Sequence, residues 1–225
     1  MIESCALCCA LYGVSSQRFE NTVLYENQNF VVIPTLGQFE EGWLMVVSKQ
    51  HSRCAGALTR DLFAELSRVV CAVRSAVEDA YGSSIVFEHG HGQDRYSAAG
   101  CCVEHTHLHI SPCKSLPTFT SLIPFVKVEL RQLIDLTTVD GGNGYLLVGD
   151  GDNPEAYSFY PVNTVIPKQF LRQVLATVQG RQEMWDWRSY PCYKAISRTI
   201  ATMRPEFSRM SRLQMEPTLA LQPRV

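Results

Sequence analysis

Cys102-Val-Glu-His105-Thr-His107-Leu-His109-Ile-Ser111 is the stretch on which the reading of this 225-residue chain turns. Residues 103 to 110 alternate in character. An extended segment therefore projects His105, His107 and His109 from one face, and Glu104, Thr106, Leu108 and Ile110 from the other. Neighbouring imidazoles then stand about 7 Å apart at Cβ, two strand rises. One can bind a metal while the next meets a substrate. The chain's 6 histidines sit at positions 51, 89, 91, 105, 107 and 109, so the imidazoles cluster around this stretch. Three on one face are costly to bury and rarely left exposed, which points to chemistry rather than packing.

Working outward, Thr22 to Tyr25 and Phe30 to Pro34 flank the turn-rich Glu26-Asn-Gln-Asn29 and read as a β-hairpin. A third strand is expected from Trp43 to Ser48. Leu62, Leu66, Val69, Val73 and Val77 recur at helical spacing between Thr59, a natural N-cap, and Gly82, a natural C′ residue. A short strand at Ile85 to Phe87 and a small-residue loop from Gly90 to Gly100 precede the strand that carries the triad. Strands on either side of one helix, without regular alternation, predict an α+β fold. The expected core is an antiparallel sheet of about five strands with helices on one side. Pro112, Pro117 and the Ser/Thr residues near them mark a boundary near residue 115. It separates a catalytic domain over 1–115 from a C-terminal α/β extension over 116–225 packed on it. Expected in the extension are a helix over Val126 to Leu136, a hairpin (Tyr145 to Val148, Tyr157 to Tyr160), and helices over Pro167 to Gln179 and Tyr193 to Met203.

Composition narrows the function. With 46% hydrophobic and 19% charged residues the chain can bury a sizeable core. A net charge of −2 disfavours nucleic acid as a partner, because affinity for a phosphate backbone needs a basic face. No apolar run approaches the ~18 residues of a membrane span, and Met1-Ile-Glu3 lacks a positive leader, so the expectation is a cytoplasmic protein. The 9 cysteines, an odd number without a secretory signal, argue for metal ligation or plain burial over a disulfide framework. Cys5-Ala-Leu-Cys8 is a C-x-x-C pair. A redox reading wants a βαβ context that is missing, whereas a tetrahedral structural zinc wants two further ligands, which His51 and His105 would supply. The alternative is that Cys5 and Cys8 are buried small hydrophobes.

His105-Thr-His107-Leu-His109-Ile110, preceded by Gly42-Trp-Leu-Met-Val-Val-Ser-Lys49-Gln-His51 and Glu26-Asn-Gln-Asn-Phe30, resembles the histidine-triad (HIT) superfamily of nucleotide hydrolases and transferases over roughly residues 5 to 112. Phe87-Glu-His89-Gly90 is similar to the corresponding stretch of the galactose-1-phosphate uridylyltransferase branch. The resemblance implies that Cys5, Cys8, His51 and His105 bind zinc and that His107 is the nucleophile, forming a nucleotidyl-histidine. It implies that His109 stabilises developing charge on phosphate or leaving-group oxygens. His89, Arg95, Ser97 and Cys102 are the candidate substrate-binding residues. Arg95 and Ser97 lie in a loop that is either a polyphosphate cradle or a simple connector, and Cys102 stands where a serine is often found near the phosphate. Thr35 replaces an acidic residue that grips the ribose, and Trp43 replaces a frequent histidine, a change expected to matter for packing.

The implied substrate is a nucleotide or sugar nucleotide, and a homodimer is consistent with the resemblance. A phosphohydrolase leads. A nucleotidyltransferase or phosphorylase using the same intermediate, and a catalytically silent zinc-stabilised nucleotide-binding module, stand as alternatives. In the extension, the helix opening at Pro167 reads as ordinary packing or as an anion-receiving N-terminus. Trp185-Asp-Trp-Arg188 reads as a packing cluster ahead of a base-stacking platform.

Overall fold

The computed structural model describes residues 5–92, 103–139, 144–149, 151 and 153–215. Helices α1 (Ala6–Tyr12), α2 (Arg60–Tyr81), α3 (Leu116–Ser121), α4 (Phe170–Gln179) and α5 (Tyr193–Met215) surround one sheet. Its strands are β1 (Tyr25–Glu26), β2 (Phe30–Pro34), β3 (Leu44–Ser48), β4 (Ser84–His91), β5 (His107–Pro112), β6 (Val128–Leu130), β7 (Gly144–Gly149) and β8 (Tyr157–Pro161). The order is β1-β2-β3-β5-β4-β7-β8-β6, and every neighbouring pair is antiparallel. The α+β class holds, with eight strands where about five were expected. The extra strands come from beyond residue 115: β7 pairs directly with β4, with Phe87 opposite Val148 and His89 opposite Leu146.

The helices cover both faces of the sheet, which corrects the expectation of one side. All five residues of β2 and of β3 are buried, and so are all six of β5. Strands apolar on both sides expose hydrocarbon unless both faces are covered. On one face α2 lays Phe63, Leu66, Val70, Val73 and Val77 against Val46, Leu108 and Ile110, joined by Met203 and Phe207 of α5. Each such side chain contributes roughly 1.5–3 kcal/mol by leaving water. The opposite face holds Trp43, Ile85, Phe87 and Leu146 under α3 and α4, and Val31, Ile33, Met45 and Val47 under α1.

Three further expectations are corrected. Residues 126–136 form β6 and a 3₁₀ turn (Leu133–Thr138) rather than a helix, because pairing with β8 offers Leu130 a buried place. The last helix runs on to Met215 through Pro205; the missing hydrogen bond at the proline is offset where Phe207, fully buried, packs 6.4 Å from the Tyr25 ring. Strand β4 continues to His91, so Gly90 lies in the sheet rather than in a loop. Gly90 is required there, since a Cβ would stand 2.0 Å from the Tyr145 ring.

Candidate metal centre and active site

Strand β5 lies between β3 and β4 at the middle of the sheet, with His107 opposite Val47 and His109 opposite both Met45 and Phe87. One strand neighbour on each side, β3 and β4, fixes the register of β5 and so the face from which these imidazoles project. His105 precedes the strand, which begins at His107. Its ring belongs to a different group of residues from the other two.

Cys5, Cys8, His51 and His105 come together so that one ligand atom from each lies within 4.8 Å of all the others. Cys5 is the N-cap of α1 and Cys8 lies in its first turn, so the helix itself sets the spacing of the sulfurs. Sγ of Cys5 and of Cys8 are 3.4 and 3.5 Å from Nδ1 of His105, and Cys8 Sγ is 3.4 Å from Nδ1 of His51. A tetrahedral ion with bonds of about 2.3 Å to sulfur and 2.0–2.1 Å to nitrogen requires S···N edges of about 3.6 Å. The donor set therefore fits a metal of that type. Nε2–H of His105 donates to the Ser48 carbonyl at 2.8 Å, which leaves Nδ1 unprotonated toward the sulfurs. Burial, and next the neighbouring Cys5, push the Cys8 thiol up to about 11, a penalty that a cation at this point reverses.

His107 and His109 line a cavity of about 170 Å³ together with His89, Thr35, Gln169 and Arg172. Each of the two triad rings is held in one tautomer by its other nitrogen. Nδ1 of His107 is 2.5 Å from the His105 carbonyl, which can only accept, so Nδ1 carries the proton and Nε2 keeps its lone pair for the cavity. The indole N–H of Trp43, which can only donate, reaches Nδ1 of His109 at 3.1 Å. The His109 proton is therefore on Nε2. Burial depresses the basicity of His107 to about 4 and that of His109 well below the usual histidine range, so both are neutral near pH 7. The rings meet edge to face at 5.1 Å, and His109 also stacks on Phe87 at 4.8 Å. One lone pair and one N–H donor thus stand side by side on the cavity wall.

His89, in β4, lines the same cavity; its Nε2 is buried without a partner, and burial holds its basicity down to about 3. Arg95, Ser97 and Cys102 fall outside the described residues. Sequence reasoning gave Trp43 a packing role and missed its hydrogen bond to His109. It also missed Arg172 and Gln169, which reach the cavity from the other half of the chain. Arg172 is buried, stacks 4.3 Å over the Trp43 ring, and donates to the carbonyls of Gly37 (2.6 Å) and Trp185 (3.0 Å). Gly37 has φ +71° and would carry a Cβ only 2.4 Å from Cβ of Trp187, so a glycine is what lets the segment around Trp187 close on the cavity. No local signal in the sequence joins residues 35–43 to residues 169–187.

Among the described residues no helix is long and apolar enough to cross a membrane. No protein-family model and no curated protein matches the chain. Among solved structures it is similar to a hypothetical histidine triad nucleotide-binding protein from Sulfolobus tokodaii, 24% identical, with a TM-score of 0.37. That match covers 46% of this chain and 66% of the other, just under two thirds of its length. It is similar to a Zn-bound histidine triad family protein from Mycobacterium smegmatis at 26% identity and a TM-score of 0.38, over 50% of this chain and 76% of that one. It is also similar to the yeast Ap4A phosphorylase Apa2 at 12% identity and a TM-score of 0.42, over 80% of this chain and 77% of that one.

Proposed function

We propose that this chain is a histidine-triad type phosphohydrolase that transfers a nucleotidyl group through His107. The observation that carries the reading is the pair of opposed tautomers: Nε2 of His107 bare, and Nε2 of His109 protonated. Nε2 of His107 attacks the α-phosphorus of a nucleotide-type substrate. A P–N bond forms and the bond from phosphorus to the leaving oxygen breaks, the electron pair leaving with that oxygen. The positive charge left on the His107 ring is shared with Nδ1–H, already held by the His105 carbonyl. His109 is too weakly basic to hold a second proton. It acts instead by donating a hydrogen bond from Nε2–H to a phosphoryl oxygen, where charge grows in the transition state.

Water then attacks phosphorus, the P–N pair returns to Nε2 of His107, and the proton that water gives up passes to solvent, which supplies the one taken up by the departed oxygen. A phosphate or sugar phosphate in place of water makes the same intermediate serve a phosphorylase or transferase. Cys5, Cys8, His51 and His105 would hold a zinc ion, which supplies a structural pin between α1 and the start of β5. The free cysteines among the described residues suit a reducing compartment such as the cytoplasm. Incubation with a panel of nucleotides, followed by intact-protein mass measurement, tests the reading. The expected result is a nucleotidyl adduct that is absent from His107→Ala; a protein that turns substrate over without His107 overturns it.

A further inference from the structure

Three residues that line the cavity beside His107 each carry a buried polar atom with no hydrogen-bond partner: Nε2 of His89, Oγ1 of Thr35 and Oε1 of Gln169. Leaving such an atom dry costs about 1–3 kcal/mol, so three around one cleft mark a surface shaped for a polar ligand. Gln169 is the most constrained of them. Only 6% exposed, it sits at φ 59°, ψ 32°, the left-handed region that glutamine rarely adopts, at the residue that opens α4. Its Nε2 faces Oδ1 of Asp186 at 3.4 Å. A carboxylate only accepts, so it fixes which end of the amide is which and leaves Oε1 as the unpartnered end of a side chain that lines the cavity. Asp186 is itself anchored by Ser189 (2.8 Å) and by the backbone N–H of Arg188 (3.2 Å). The same contacts, Ser189 first, hold its carboxyl below the usual range and keep it ionised.

We infer that Gln169 is a specificity-determining residue that accepts a hydrogen bond from an N–H or O–H of the nucleotide seated beside His107, with Asp186 as the positioning residue that orients its amide. This rests on the nucleotide reading above. The shared chemistry is a hydrogen-bond donor on the ligand, which an exocyclic amine of the base or a hydroxyl of the ribose can supply. Trp187, which also lines the cavity, offers a flat wall for a ring held at this point.

Binding by the full chain, read as Kd by calorimetry, separates the two sources. The base arm compares AMP with purine riboside 5′-monophosphate, and GMP with IMP. The sugar arm compares AMP with its 2′-deoxy and 3′-deoxy forms. In the wild type, deleting the donor that Gln169 reads weakens binding roughly 5- to 100-fold, the range for an unpaired buried acceptor. In Gln169→Met the same deletion costs about twofold or less, because no acceptor is left to be disappointed. Asp186→Ala, remote from the ligand, lowers the discrimination ratio while the folded state is retained, a change that loss of packing alone would not produce. If every deletion costs the same in wild type and Gln169→Met, or no nucleotide binds, the inference is overturned. Formation of a His107 adduct without a Gln169-dependent ratio sinks this inference alone, and a Gln169-dependent ratio without any adduct sinks the hydrolase reading alone.

Discussion

The indole N–H of Trp43 donates to Nδ1 of His109 across 3.1 Å, from the residue just before β3 to the third imidazole of the triad on β5. Trp43 is fully buried, and the Arg172 guanidinium lies over its ring at 4.3 Å, so the indole has little room to turn away. The bond fixes the proton of His109 on Nε2, the nitrogen that the proposed chemistry needs.

Trp43→Phe keeps most of the ring and removes the donor. His109 can then place its proton on either nitrogen, and its buried Nδ1 loses its partner. We expect stability to fall by about 1–3 kcal/mol in urea unfolding. Adduct formation at His107 should slow by roughly 10- to 100-fold in rapid-quench mass measurements. An unchanged adduct rate in a folded variant would remove Trp43 from the mechanism.

The metal centre predicts a bound ion. The purified protein should carry about one zinc per chain by elemental analysis, and Cys8→Ser should lose most of it. Removing the metal with a chelator should lower Tm by roughly 5–15 °C, since the ion ties α1 to the loop before β5. The Cys5 and Cys8 thiols should become open to alkylation only after chelation. Full alkylation of both before chelation would argue that the four ligands never meet around an ion.

Glu88 should give stability an unusual slope with pH. Its carboxyl is fully buried, accepting from Tyr145 Oη at 2.6 Å and from the Ala55 backbone N–H at 2.8 Å, and burial pushes it from 4.5 up to about 7. The folded state therefore holds a proton that the unfolded chain has lost between about pH 4.5 and 7, and stability from this group falls as pH rises through that window. His89 works in the opposite direction. Its basicity is depressed from 6.5 to about 3, so its contribution is intact above pH 6.5 and is lost as pH falls below it. Glu88→Gln isolates the first effect. From pH 5 to pH 8 its Tm should improve relative to wild type by an amount equal to roughly 2–3 kcal/mol. A difference that stays flat across this range would mean that Glu88 is not held neutral.

Arg172→Lys should be costly although the charge is kept. Lysine cannot reach both the Gly37 and Trp185 carbonyls or stack on Trp43 as a planar group. A loss of roughly 2–3 kcal/mol in denaturant midpoint analysis is expected. A change below about 0.5 kcal/mol would show that the guanidinium is dispensable.

Local patterns carried much of this far. The spacing of Leu62, Leu66, Val69, Val73 and Val77, closed by Gly82, marks α2 to within a residue of Arg60–Tyr81, because an amphipathic period and a glycine cap at positive φ are properties of neighbours in the chain. The alternation at 105, 107 and 109 likewise puts two imidazoles on one side of β5. The 126–136 segment failed because its residues fit a helix locally and pair with β8 only across the sheet.

By itself, the sequence determined that His107 and His109 share a face of one strand, that Cys5 and Cys8 form a closely spaced C-x-x-C pair, and that strands and a long helix surround the histidines, since each of these follows from the order of a few neighbouring residues. Tertiary structure alone decided the rest: which nitrogen of each imidazole holds the proton, that Trp43 is the donor to His109, and that Gln169 and Arg172 close the same cavity. A tautomer is set by whatever partner reaches the other ring nitrogen, and a cavity wall by chains that meet more than a hundred residues apart. Neither leaves a mark in the local order of residues.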